Sequence, residues 1–229
     1  MSINGHIREI SPALLRRIQD DPSLTRTIIL GSIPRIPGFD AAREHYDRLE
    51  SNQPSREKDA LAAALEHMSP AQRQMALLVV DKIGGFFRKA YSQVGDLSEI
   101  EPGSLGEHLG LGQARHGLHF LLSGSPEPTP TPLGQAVLGG IEIGEDTGYG
   151  PPRYLDAAAV KGIANALAAV DATTMRGRFD GDAMSDADLY LDAWTEPGIV
   201  DWLMQEFDRL REFYVGAARR GNAALLYHI

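Results

Sequence analysis

The sequence predicts one mixed α+β domain over residues 1–229, a small β-sheet with predominantly helical packing, and three observations carry that expectation. Strand-like runs stand at both ends of the chain, residues 3–10 and 223–229, with another near the middle at 141–143. Five or more segments of helical periodicity separate them, which is the arrangement that produces a segregated α+β fold. Finally, 229 residues with 43% apolar and 23% charged composition suit a chain that buries one sizeable core.

The elements follow in order. The first strand-like run stops at Ser11-Pro12, where a capping hydroxyl precedes a proline suited to the first helical position. Leu14, Leu15 and Ile18 then fall on one helical face. Pro34 and Pro37 mark residues 31–38 as an irregular connection. Residues 56–94 read as a pair of helices divided at Ser69-Pro70, an elaboration whose apolar stripe serves as scaffold or interface. Residues 105–122 are expected to form a short helix or turn, then a helix carrying two histidines and ending at Gly124 in a left-handed cap. The alternating prolines of 125–132 favour an extended surface connector with unpaired backbone. Residues 135–138 and 141–143 look like strand interrupted at Gly139-Gly140. Asp156 caps an alanine-rich helix reaching Val170, and a long terminal helix runs from Pro197 to Gly221 with Leu203, Met204, Phe207, Leu210 and Tyr214 on one face.

Charge and composition bound the function. The net charge of −9 repels phosphate backbones and anionic lipid, so neither nucleic acid nor a membrane is the expected partner. A protein with a basic surface is the partner such a field would steer. With no cysteine, thiolate metal sites and cysteine nucleophiles are excluded. No cofactor is called for, and the absence of a basic, apolar leader at the start makes a cytoplasmic location the expectation. The sequence sets no oligomeric state.

Polar residues concentrate around the centre. His116 and His119 are three apart, so on a helix they share one face. Two imidazoles there can act as bases, with Glu142 or Asp146 assisting, or serve a metal together with those acids. The spacing lacks the four-residue separation and intervening glutamate of the familiar helical zinc pair, so structural histidines are the favoured alternative and no metal is assigned. Tyr149, Arg153 and Tyr154 surround Pro151-Pro152 in a stiff loop, a combination enriched in binding hot spots. The same loop can instead form a clasp in which His116, Glu142 and Arg153 satisfy one another. Asp180-Gly181-Asp182 and Asp186-Ala187-Asp188 lack the register of a calcium loop and read as caps and turns.

The blocks His116 to Leu122 and Leu138 to Leu155, in that order, resemble the YfbM-like family, as do Arg178-Phe179-Asp180, Leu189-Tyr190, Trp194 and the terminal helix with its closing strand. The resemblance covers most of the chain. It implies a compact α+β domain and supplies no catalytic residues. The family often has tryptophan directly before the first histidine, where this chain has Arg115. Two functional readings stay open: a non-enzymatic protein-binding role, such as an immunity-type inhibitor of a partner, and a hydrolase or lyase using His116, His119, Glu142 and Asp146.

Overall fold

The structure, a computed structural model, describes residues 3–32, 97–146 and 148–229. The chain divides into two compact units, residues 1–29 with 97–229 and residues 30–96. The first carries the α+β core described below. The expected helical pair at 56–94 and most of the irregular connection at 31–38 lie outside the described residues.

Five strands form one antiparallel sheet: β1 (Gly5–Ile10), β2 (Leu105–Gly112), β3 (Ile141–Glu142), β4 (Arg153–Leu155) and β5 (Ala223–His228), in spatial order β2-β1-β5-β4-β3. The last strand in sequence is therefore the middle strand in space, which explains why Ala223-Ala224-Leu225-Leu226-Tyr227 is apolar without a break. Both of its faces are covered. Side-chain alternation sends Ile7, Leu109, Leu155, Ala224 and Leu226 into one core and Ile10, Ala223, Leu225 and Tyr227 into a second core on the opposite face.

Helices α1 (Pro12–Asp20) and α2 (Leu24–Ser32) cover the second face through Leu14, Ile18, Leu24 and Ile28. The first face carries α3 (Ala114–Ser123), α4 (Pro132–Leu138), α5 (Ala157–Ala168), α6 (Ala172–Gly177), α7 (Gly181–Asp186) and α8 (Ile199–Arg220). Caps are supplied locally. Ser11, Asp156, Asp171 and Asp180 each accept a hydrogen bond from the backbone N–H three residues on. Gly124 and Gly221 end α3 and α8 with φ of 73° and 69°, the left-handed conformation that glycine adopts without a Cβ penalty. Asp180 is thus a helix cap, in line with the reading of its segment.

Two expectations are corrected. Residues 105–112 are strand β2, not a short helix or turn: Gly106, Gly110 and Gly112 dilute the strand signal, and pairing with β1 supplies what local propensity lacks. The carboxylate of Glu9 packs against Gly106, where a Cβ would collide with it. Residues 135–138 belong to helix α4, not to a strand. Thr131 accepts from Gly134 N–H and Pro132 occupies the first turn, so the proline run ends in a helix start. Helix α2 has no counterpart among the sequence expectations, and it absorbs Gly31 and Ser32 from the expected connection.

Candidate functional site

His116 and His119 lie on one face of α3 as their spacing requires, and both face the proline-rich connector. Tyr190 N–H donates to His116 Nδ1 at 3.0 Å, which leaves the ring proton on Nε2 to donate to Pro126 O at 3.0 Å. His119 Nε2 donates to Glu127 O at 2.8 Å. Ser123 Oγ donates to His119 O and accepts from Ser125 N–H, which fixes the start of the connector. The two imidazoles therefore pin carbonyls of a segment whose prolines cannot offer N–H donors. His119 is fully buried, and its Nδ1 has no hydrogen-bond partner among the described residues. Burial lowers its pKa; the Glu127 carbonyl opposes this, and the charges of His116 and Arg153 reinforce it.

One turn earlier on α3, Arg115 is only 8% exposed. Its stem crosses Gly5 of β1, where an added Cβ would stand 2.8 Å from Arg115 Cδ. Its guanidinium lies 5.0 Å from the ring centre of Tyr190, whose hydroxyl accepts from Ile3 N–H at 2.7 Å. Gly5 pairs with His228 on β5, and Arg153 on β4 pairs with Leu226, two residues before His228. Direct partners share a face and strand alternation repeats every second residue, so Arg115, His228 and Arg153 gather at one end of the first face. Burial pushes His228 down to about 4, with Arg115 and Arg153 adding to the shift and a hydrogen bond with the Tyr149 backbone opposing it. Arg153 is itself lowered by burial, partly offset by Glu142. Among the described residues, the Nε atoms of Arg115 and Arg153 are buried without partners.

The other nominated residues divide between the β3–β4 hairpin and the opposite face. Glu142 sits opposite Arg153 in the register and is exposed. Asp146 accepts from Gly148 N–H and Gly150 N–H at 2.6 and 2.9 Å, which builds the loop turn. Tyr149 is exposed, whereas Tyr154 points to the second core. The expected mutual network of His116, Glu142 and Arg153 does not form, because His116 spends both nitrogens on backbone groups. Arg115, Tyr190 and His228 complete the cluster. In the sequence Arg115 stands out only as a departure from the family pattern, and Tyr190 only as part of a resembling block. For His228 the available sequence signal is a histidine at the end of an apolar strand.

On the second face a separate polar cluster groups the rings of His6, His108 and Tyr227, with centres 5.2 Å (His6–His108), 5.3 Å (His6–Tyr227) and 6.3 Å (His108–Tyr227) apart and a hydrogen bond of 3.1 Å between Tyr227 Oη and His108 Nε2. Burial, with His6 and Arg8 assisting, pushes His108 down to about 4. Among the described residues no group of three or more His, Cys, Asp or Glu side chains is placed to hold a metal. Surface grooves beside Phe120–Gly124 with Arg178, and along α8 near Arg211 and Arg219, contain none of the nominated residues. Nor, among the described residues, is any helix long and apolar enough to cross a membrane.

Residues 1–227 match the model of a family described as a domain of unknown function, DUF1877. The fold is similar to that of YfbM from Escherichia coli, a protein of unknown function, at 15% identity with a TM-score of 0.54 over 99% of each chain. No curated protein matches.

Proposed function

The chain belongs to the DUF1877 family, a domain of unknown function, and from the geometry of its β3–β4 hairpin we propose that it is a non-enzymatic binding module for a protein with a basic surface. One observation carries this reading: among the described residues the large exposed apolar side chains are Ile141, at 62%, and Tyr149, at 37%, and both stand on this hairpin. Around them Glu142, Glu145 and Asp146 are exposed acids, and Gly144 brings the loop against Pro22 and Thr25, next to exposed Asp20 and Asp21. An apolar and aromatic centre inside an acidic rim is the complement of an apolar patch ringed by lysine or arginine. An immunity-type inhibitor that covers its partner is one form of this reading.

The hydrolase or lyase reading needs a histidine free to exchange a proton with substrate. His116 has both ring nitrogens bonded and His119 is sealed. Tyr149 and Arg153 remain binding candidates, while Tyr154 supports the hairpin from behind.

The test is crosslinking in cells expressing the protein, followed by binding measurements on the purified pair. The doubly substituted Ile141→Asp, Tyr149→Ser protein is expected to keep its circular dichroism and bind the crosslinked partner at least about tenfold more weakly, roughly 1.4 kcal/mol. Binding by the unsubstituted protein should weaken as salt rises from 50 to 300 mM, on the order of a Debye-length effect. Equal affinity of the two forms for the purified partner overturns the reading.

A further inference from the structure

We propose that the junction of α3, β4 and the end of β5 is a binding site for the oxyanion group of a small ligand, a phosphate or a carboxylate, gripped by Arg115 and Arg153 beside His228. The site adjoins the hairpin through Arg153 and is tested separately from the hairpin's protein partner, with small anions and no protein.

Uncompensated charge is the first support. Arg176, Arg209, Arg211 and Arg220 of this unit each meet a carboxylate at 2.8 Å or less. Arg115 and Arg153 lie deeper than those surface groups, yet neither makes a salt bridge or side-chain hydrogen bond among the described residues, and each keeps a buried Nε without an acceptor. A buried guanidinium is ordinarily retained with its acceptors satisfied. The buried Arg115 and the half-buried Arg153, beside one histidine in a chain with 31 acids to draw on, leave acceptor positions that an anion fills.

Geometry is the second support. Gly5 leaves room for the Arg115 stem, and the Tyr190 ring lies against the guanidinium, so the planar fork is held in place before any ligand arrives. Register brings Arg153 and His228 to the same end of the same face. Forked donors of this kind match the paired oxygens of phosphate and carboxylate. Glu142, exposed opposite Arg153, is a nearby carboxylate and competes with the ligand for it.

The arginine Nε–H resonances of the full chain, 15N-labelled in chloride buffer, report the site directly. Inorganic phosphate and succinate are titrated separately at matched ionic strength. Saturable shifts of the Arg115 and Arg153 signals are expected with one or both probes, and the probe that saturates identifies phosphate or carboxylate as the preferred class. Binding should weaken at least about fivefold in Arg153→Gln and in Arg115→Lys, which retains charge but not the fork. Glu142→Gln should tighten it. Absence of saturation with either probe in the unsubstituted protein overturns the proposal, as does an unchanged titration in Arg153→Gln.

Discussion

Glu9 is fully buried on β1, at the end of the sheet away from the arginine cluster. Its carboxylate accepts from Arg220 Nε and Nη2 at 2.6 and 2.8 Å, from Asn222 Nδ2 at 2.7 Å and from Glu107 N–H at 3.0 Å. Burial alone raises its pKa, but the bonds from Arg220, Glu107 N–H and Asn222 together outweigh that and lower it. A lowered carboxylate contributes stability that is present above the ordinary glutamate value of 4.5 and is lost as pH falls through the folded value. His108 and His228, held to about 4 against an ordinary 6.5, act in a different window. The unfolded chain binds protons there that the folded chain refuses, so stability falls as pH drops from 6.5 toward 4. Melting temperature against pH is therefore expected to decline first with the histidines and then more steeply below 4.5 with Glu9. Glu9→Gln should lose about 1.5–3 kcal/mol near neutral pH and flatten the lower limb only. A parallel downward displacement at every pH would show that the charge of Glu9 is immaterial. None of its acceptor role was legible in advance, because its partners lie nearly 100 residues or more along the chain.

At the scale of elements, α3 shows how packing overrides propensity. Gly117 stands in its interior, where replacement by alanine ordinarily stabilises a helix by about 0.8–1 kcal/mol. Here an added Cβ would press into the ring of Trp194 and lie 3.1 Å from Met184 Cε, both fully buried. Gly117→Ala is accordingly expected to destabilise by about 1–3 kcal/mol in chemical denaturation, and a neutral or stabilising result would show that Trp194 gives way. The helices announced themselves through caps: Ser11-Pro12, Asp156 and Gly221 each mark a terminus where the structure has one. Strand β2 did not, since its glycines leave half the alternation blank and only β1 completes it. Helix α4 was hidden for the opposite reason. Thr131-Pro132 is a helix start, but it closes a proline run that reads equally well as continued extended chain.

For the whole described unit, sheet order predicts a gradient of local stability. Amide exchange should be slowest in β5, which is paired on both sides and buried on both faces, and fastest in the two-residue edge strand β3. Comparable protection in β3 and β5 would contradict that order. The exposed edge hairpin is also where Ile141 and Tyr149 sit, so the proposed protein contact uses the part of the sheet whose backbone is least committed. What the sequence determined by itself is the local chemistry: the mixed α+β class, the caps, the apolar faces of α1, α5 and α8, the acidic field, and a central block dense in histidine, arginine and tyrosine. What only the tertiary structure decided is which of those groups meet. Sheet pairing brings Gly5, Arg153 and His228 to one end of the first face and lays Arg115 across it, while His116 and His119 turn to the connector. Caps and periodicity act over a few residues and can be read along the chain, whereas strand order arises from closing long loops around a shared core, and no local pattern encodes which strands become neighbours.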